Sequence, residues 1–227
     1  MKRLVVLTGA GISAESGIQT FRDADGLWEG HNVMEVASPE GYGANPKLVL
    51  NFYNERRKQL LEVTPNKGHE NLVALEQSFN VEIITQNVDD LHERAGSKKV
   101  THLHGELLKV RSSVDENMVI DWKKDLVLGD LCPNKSQLRP HIVWFGEMVP
   151  MLDKAIEITK KADILVIIGT SMQVYPAAGL IDYIKPNTPI YFIDPKPAVS
   201  KGSFNNLTII EEVASVGTEK LMELLKY

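Results

Sequence analysis

Three polar clusters, each directly following an apolar run, carry residue types that can grip and rearrange a sugar or an amide: Gly9-Ala10-Gly11-Ile12-Ser13-Ala14, Thr85-Gln86-Asn87-Val88-Asp89 and Gly169-Thr170-Ser171. A turn without side chains lets a pyrophosphate approach backbone N–H groups, and the positive end of a following helix favours its charge. Gly9-x-Gly11-x-x-Ala14 fits the Ala-ended dinucleotide fingerprint, with a helix expected to start at Ser13, and it fits equally a tight turn whose glycines supply positive φ. Dehydrogenases of this type carry an acid about 20 residues further on. Here a long polar loop through Gly17, Phe21, Arg22, Asp23, Asp25 and Gly26 takes its place, where it could cover a cofactor.

Asn87 and Asp89 offer an amide and a carboxylate able to read a carboxamide, while Thr170 and Ser171 suit phosphate or ribose. Asp194 closes another apolar run and could accept from a ribose diol. Taken singly, each of these is an ordinary cap or turn residue. In the segment His102-Leu103-His104-Gly105-Glu106, strand alternation puts both histidines on one face. A metal pair is conceivable there, but no third ligand lies nearby, and His104, beside a glycine that lets a ligand approach, is the better candidate for a general base.

The elements that must position these groups read as alternating strands and helices. Apolar runs at Leu4 to Thr8, Val81 to Thr85, Ile164 to Ile168 and Ile190 to Ile193 suit buried parallel strands. Pro46 to Val63, opened by Asn45 as cap, reads as a helix, as do Gly68 to Phe79, Met151 to Lys161 and Thr218 to Lys226. This rhythm predicts an α/β, Rossmann-like doubly wound parallel sheet, whose ligands lie outside the carboxyl ends of the strands, where all three clusters would converge. The rhythm breaks between Leu107 and Pro140, a polar stretch with short alternating pieces such as Met118 to Trp122. We therefore expect residues 1–106 and 143–227 to form the main domain, with a helical insert over about 31–80, and residues 107–142 to form a small inserted module.

Composition narrows the function classes. The chain has 227 residues, 43% of them hydrophobic and 24% charged, as in ordinary globular proteins. A net charge of −5 gives no general attraction to nucleic acid or to a membrane surface. No apolar run is long enough to span a bilayer, and Met1-Lys2-Arg3 leads straight into the first strand, so a cytoplasmic protein is expected. A single cysteine, Cys132, excludes an internal disulfide and a multi-thiolate metal site.

Together these residues resemble the sirtuins, NAD-dependent protein-lysine deacylases. The matching pieces are GAGIS at Gly9 to Ser13, GIQTFR at Gly17 to Arg22, TQNVDDLH at Thr85 to His92, HGE at His104 to Glu106, VWFGE at Val143 to Glu147 and GTS at Gly169 to Ser171. The resemblance implies a Rossmann domain plus a small module, with NAD and an extended acyl-lysine peptide meeting between them. Gly9, Ala10, Gly11, Ala14, Thr20, Phe21, Arg22, Trp28, Gln86, Asn87, Val88, Asp89, Gly169, Thr170, Ser171, Asp194 and, at a poorly aligned end, Ile210 would line the NAD site. His104 would be the catalytic base, taking a proton from the ribose diol after nicotinamide leaves, so that free lysine and O-acyl-ADP-ribose result. Phe21 would keep water from the reacting centre. Val143, Trp144, Phe145, Gly146 and Glu147 would pair with the peptide backbone as an added strand, with Val174 and Tyr175 also at the substrate.

Phe52-Tyr53-Asn54-Glu55-Arg56-Arg57 resembles the Tyr-x-x-Arg element of sirtuins that remove succinyl and malonyl groups, as in bacterial class III members. Spacing of i and i+3 puts Tyr53 and Arg56 on one helix face, where they could grip a carboxylate, and Ala37 would leave room for the acyl chain. The alternative is a core tyrosine beside a solvated run of Arg56, Arg57 and Lys58.

The pattern departs from the family in three places. Ser112 stands where the first of four zinc cysteines is expected, so no zinc is expected and the module must rely on its own core, Trp122 and Leu126 included. Gln19 replaces a usual proline, and Asp194 a usual asparagine. Desuccinylation, demalonylation and deacetylation of protein lysines are thus the implied activities, with mono-ADP-ribosyl transfer or non-catalytic NAD sensing as the alternatives. Acyl-lysine peptides are the implied partners, and the oligomeric state stays open, a monomer being compatible.

Overall fold

The computed structural model describes residues 1–19, 27–28, 30–198 and 206–226. Six strands, β1 (Arg3–Thr8), β4 (Asn80–Thr85), β5 (Val100–His102), β9 (Ile164–Ile168), β10 (Ile190–Ile193) and β11 (Leu207–Ile210), form one sheet in the order β11-β10-β9-β1-β4-β5. Every pair in it is parallel. Both faces of the sheet are covered, which explains why its strands read as unbroken apolar runs. On one face Leu4, Val6, Val81, Ile83, Val166 and Ile168 pack with Leu72 and Leu75 of α4 (Lys67–Leu75) and Leu221 of α7 (Ala214–Leu224). On the other, Val5, Leu7, Ile84, Leu165, Ile167 and Phe192 pack with Ala155 of α6 (Leu152–Thr159) and with Leu180 of the 3-10 segment Ala177–Tyr183.

The strand order reverses between β1 and β9, whose ends are aligned with Thr8 opposite Ile168, so the crevice opens beside Gly9 and Gly169. The chain after β1 differs from the expected helix at Ser13: it forms two 3-10 turns, Ala10–Ile12 and Ala14–Ser16, closed by Gly17 at φ +96°. Asn66 is the physical reason. Its Nδ2 donates to the Ile12 carbonyl at 2.7 Å and to Ser16 Oγ at 2.9 Å, taking the carbonyl that a growing helix would use, while its Oδ1 caps α4 at Gly68 N.

Between β1 and β4 lie a two-residue hairpin, β2 (Leu27–Trp28) with β3 (His31–Asn32), and the helices α1 (Val33–Val36), α2 (Pro39–Ala44) and α3 (Pro46–Glu62). Asn45 caps α3 by accepting from Leu48 N, with Pro46 in its first turn. α5 (Leu91–Ala95) follows β4. The small module is an antiparallel sheet of β6 (Gly105–Ser112), β7 (Val119–Asp121) and β8 (Leu138–Ile142), ordered β7-β6-β8. Its core joins Val110, Leu126, Cys132 and Leu138 to Leu50 of α3, with Trp122 packed at the margin.

Polar stitches bind this module to α3. Asn54 Nδ2 donates to the Leu126 carbonyl and its Oδ1 accepts from Leu126 N, while Arg57 donates to Asn54 Oδ1 at 2.8 Å and to the Leu107 carbonyl at 3.2 Å. Arg57 is therefore not part of a solvated run: it is 1% exposed, and burial pulls its pKa down to about 10. Ser112 Oγ lies 2.8 Å from Ser136 Oγ, which lies 3.0 Å from Cys132 Sγ, so hydrogen-bonded hydroxyls and one thiol occupy this corner. Among the described residues no group of three or more His, Cys, Asp or Glu side chains is placed to hold a metal ion.

Candidate active site

The ends of β1 and β4 are tied by a buried hydroxyl chain. Thr8 Oγ1 donates to Thr85 Oγ1 at 2.9 Å, which accepts also from Asn87 N. Having spent its one proton, Thr8 accepts from His92 Nε2 at 3.0 Å, so Nε2 carries a proton and the neutral ring has its lone pair on Nδ1. Burial of the His92 ring pushes its pKa well below the usual value, in agreement. One residue past the first turn, Ser13 Oγ donates to Asp89 Oδ2 at 2.9 Å and accepts from Asn87 Nδ2 at 3.1 Å. Ser13 thus fixes the two groups best suited to a carboxamide. Burial raises the Asp89 pKa, and the Leu91 N–H and Ser13 hydroxyl that donate to its carboxylate only partly offset this. Gln86 Nε2 donates to Thr170 Oγ1 at 3.1 Å, joining the second cluster to the third.

The two histidines differ in charge because they differ in acceptors. His104 Nδ1 lies 3.0 Å from the Gln86 carbonyl, which can only accept, so Nδ1 carries the proton and Nε2 keeps a lone pair. Burial holds the His104 pKa below its usual value, the Gln86 bond opposing it only in part. His102 instead faces two acceptors, the Asn87 carbonyl at 3.0 Å and Glu93 Oε1 at 2.8 Å. Burial, the largest single effect, lowers its pKa, but Glu93, the Asn87 carbonyl and Glu106 together outweigh it and raise the pKa, favouring a ring that donates from both nitrogens. With His102 Nε2 already turned to Glu93 Oε1 and both Nδ1 atoms to backbone carbonyls, His102 presents no ring nitrogen to share a metal with His104. The glycine beside His104 has a structural role as well: Gly105 has φ +85°, and a Cβ there would collide with the His141 carbonyl of β8, so it permits the close strand pairing.

Tyr53 and Arg56, one turn apart on α3, line a single cavity of about 50 Å³ together with Ile18, Trp28, Val88, Asp89 and Leu107. The wall is aromatic: Trp28 meets Phe52 edge-on at 4.9 Å and Tyr53 at 6.0 Å, and the Arg56 guanidinium lies 5.3 Å from the Phe52 ring. Trp28, expected at the cofactor, thus stands on the Tyr53 side of the cavity. Tyr53 is fully buried, and desolvation drives its pKa far above the usual phenol value, so its hydroxyl stays protonated.

The remaining expected site residues fall into distinct places. Gly9 N and Gly11 N are spent on the Ile168 and Gly169 carbonyls, and a Cβ on Gly11 would lie 2.5 Å from Gly169 Cα. These glycines therefore let the turn interlock with Gly169, whose φ is +62°. Ala10 and Ala14 open the two 3-10 turns, and Ser171 follows Thr170, whose Oγ1 also accepts from Met172 N. Thr20, Phe21 and Arg22 lie outside the described residues. Asp194 is 1% exposed, and its Oδ1 accepts from Lys196 N, a turn contact. Ile210 ends β11 and is packed in the sheet core with Ile193 and Leu221. Ala37 is buried beside Tyr53 and Trp144. Tyr175 is exposed, and the Val174 carbonyl caps the 3-10 segment at Ala178.

The segment from Val143 to Glu147 is a turn rather than a strand, since its N–H groups are used within the chain. Val143 N donates to the His104 carbonyl, Phe145 N to Ala37, Glu147 N to Trp144, and Trp144 N to Glu147 Oε2. Arg139 clamps Glu147 through both carboxylate oxygens at 2.6 and 3.1 Å, and Arg111 adds a contact at 3.2 Å. Gly146, at φ +89°, allows the turn. Sequence reasoning had no role for Ser13, Thr8, His92, Arg139 or the Trp144 side chain. Of these, Ser13 and His92 sit inside motifs already noticed, whereas Arg139 gives no local signal.

Comparison with known proteins accounts for this geometry. The Sir2 family matches residues 9–176. An NAD-dependent protein deacylase from Helicobacter pylori is 61% identical, covering 99% of this chain and 98% of that protein. One from Bacteroides thetaiotaomicron is 56% identical, with the same coverage of both. Among solved structures, a Sir2 homologue in complex with NAD superposes with a TM-score of 0.87 at 38% identity, covering 99% of this chain and 90% of that one. A Sir2 bound to acetylated peptide gives 0.80 at 29% identity, covering 98% and 93%. Matched by the family over most of its length and by these relatives over nearly all of it, the chain belongs to the Sir2 family of proteins.

Proposed function

We propose that this chain removes succinyl and malonyl groups, as well as acetyl, from protein lysines. It is an NAD-dependent protein deacylase, as its full-length relatives are named. The residues present suit NAD: an interlocked glycine turn at the switch point, hydroxyls at Thr170 and Ser171, and an amide and carboxylate at Asn87 and Asp89 held by Ser13. Bound there, NAD would supply an electrophilic ribose carbon with nicotinamide as its leaving group.

The chain's own groups perform the remaining work. Asn87 and Asp89 orient a carboxamide, held in place by the Ser13 hydroxyl between them and by the Leu91 N–H on the second Asp89 oxygen. His104 receives a ribose hydroxyl proton at Nε2, its tautomer fixed by the Gln86 carbonyl. In the turn at residues 143–147 the Val143, Trp144, Phe145 and Glu147 N–H groups are spent within the chain, so carbonyl oxygens and the Gly146 N–H are what it offers a peptide. Arg56 supplies the cation, and Tyr53 a protonated hydroxyl, for a carboxylate at the acyl terminus.

The observation that supports the carboxyacyl reading is the shared cavity, in which Tyr53 and Arg56 line the same space as Asp89. Its test is NAD-dependent removal of succinyl and acetyl from one lysine peptide by wild type, Tyr53→Phe and Arg56→Met. The expected result is a succinyl to acetyl ratio that falls at least tenfold in each variant, about the weight of one hydrogen bond to a charged group. An unchanged ratio in both, or negligible succinyl removal by wild type, returns Tyr53 and Arg56 to an ordinary helix face.

A further inference from the structure

Among the described residues the Tyr53 hydroxyl has one hydrogen-bond contact, and its direction is decided by chemistry. Trp144 Nε1 lies 3.0 Å from Tyr53 Oη, and an indole nitrogen can only donate. Tyr53 therefore accepts from Trp144, and its own proton finds no acceptor among the described residues. A phenol whose oxygen is held this way presents its proton to whatever acceptor enters the cavity that Tyr53 lines.

The indole is itself held firmly. Trp144 is 2% exposed, and the Arg139 guanidinium lies 3.5 Å from its ring centroid. The same guanidinium clamps Glu147, whose Oε2 accepts from Trp144 N, and it donates to the Ile142 carbonyl. Arg139 and Glu147 thus fix both the backbone and the side chain of Trp144. Without the Trp144 N–H, the buried Tyr53 oxygen would lose its donor, and the hydroxyl proton would be free to rotate away from a ligand. Burial makes the loss of that donor costly.

We infer that Trp144 is a positioning residue for carboxyacyl substrates: its indole N–H occupies the acceptor side of Tyr53 and so commits the tyrosine proton to the acyl carboxylate, with Arg139 and Glu147 holding the indole in place. This rests on the carboxyacyl reading above. It adds a physical link between the turn expected to meet the peptide and the group expected to read the acyl terminus.

The experiment compares kcat and KM for a succinyl-lysine peptide and for the same peptide bearing an uncharged butyryl group, in wild type, Trp144→Phe, Tyr53→Phe and the double variant. Phenylalanine keeps an aromatic ring and removes the N–H. The expected result for Trp144→Phe is a succinyl to butyryl selectivity lowered about tenfold, mainly through a higher KM for succinyl. In a Tyr53→Phe background the same change should have no further effect on selectivity, because there is no hydroxyl left to orient. A packing defect would instead harm both acyl groups alike.

Full selectivity in Trp144→Phe, or selectivity losses that add in the double variant, would overturn the inference while leaving the carboxyacyl reading intact. Absence of succinyl preference in wild type would overturn that reading, and this inference with it. Should Trp144→Phe fail to fold, Arg139→Met reports the same link, since it removes the stack and the Glu147 clamp. Unaltered selectivity in that variant would equally sink the proposal.

Discussion

His69 and His92 form a buried pair whose titration should dominate the response of this fold to acid. Their rings meet edge-on with centroids 4.9 Å apart, and both are fully buried. His69 Nδ1 accepts from Asn66 N at 3.3 Å, which leaves the proton on Nε2, and that atom has no partner among the described residues. Burial, with Arg94 adding repulsion and Glu15 and Glu93 only partly opposing it, pulls the His69 pKa from 6.5 to about 4. An unfolded chain takes up this proton below pH 6.5, whereas the folded one resists until about pH 4. The unfolded state therefore binds more protons in that window, and stability must fall as pH falls through it. Each pKa unit is worth about 1.4 kcal/mol, so His69 alone removes about 3 kcal/mol between pH 7 and pH 4. His69→Gln tests this cleanly, because glutamine at this position of a capping box can still accept from Asn66 N. Urea denaturation of both proteins across this range should show a loss of stability about 3 kcal/mol smaller in the variant. Parallel curves for the two proteins would refute the assignment of the acid response to this ring.

Three further outcomes follow from the same contacts. Asn54→Ala removes the donor and acceptor that hold Leu126 and leaves the buried Arg57, among the described residues, with the Leu107 carbonyl alone as hydrogen-bond acceptor, so urea denaturation should show a loss of about 3 to 5 kcal/mol; a loss below about 1 kcal/mol would mean that the module is held by its apolar core instead. Gly105→Ala forces a Cβ against the His141 carbonyl at φ +85°, and a thermal melt should show a markedly lower Tm, whereas an unchanged Tm would contradict the tight β6–β8 pairing. Because burial depresses the His104 pKa, the acid limb of kcat should lie below pH 6.5, and a limb above that value would mean that His104 is not buried as a neutral ring in the working enzyme.

Much of the frame was legible in the sequence because the same local forces that write the pattern also build the element. Strands β1, β4, β9 and β10 are buried on both faces and so had to be continuous apolar runs. Asn45 and Pro46 marked the start of α3, and i to i+3 spacing put Tyr53 and Arg56 on one face. What escaped was decided by distant partners. Arg57 looked solvated beside Arg56 and Lys58, yet it is buried by a carbonyl 50 residues away. The helix expected at Ser13 was stopped by Asn66, and the charge difference between His102 and His104 was set by Glu93 and by carbonyls of the preceding loop. Short helices such as α5, with five residues, leave too little periodicity to read.

The most direct test of the central claim is His104→Ala, measured for both NAD binding and NAD-dependent deacylation of an acetyl-lysine peptide. The account predicts that acyl removal drops by at least about a hundredfold, while NAD still binds, since Ser13, Asn87, Asp89 and Thr170 are held independently of this ring. Deacylation at the wild-type rate would contradict the assignment of His104 as the base.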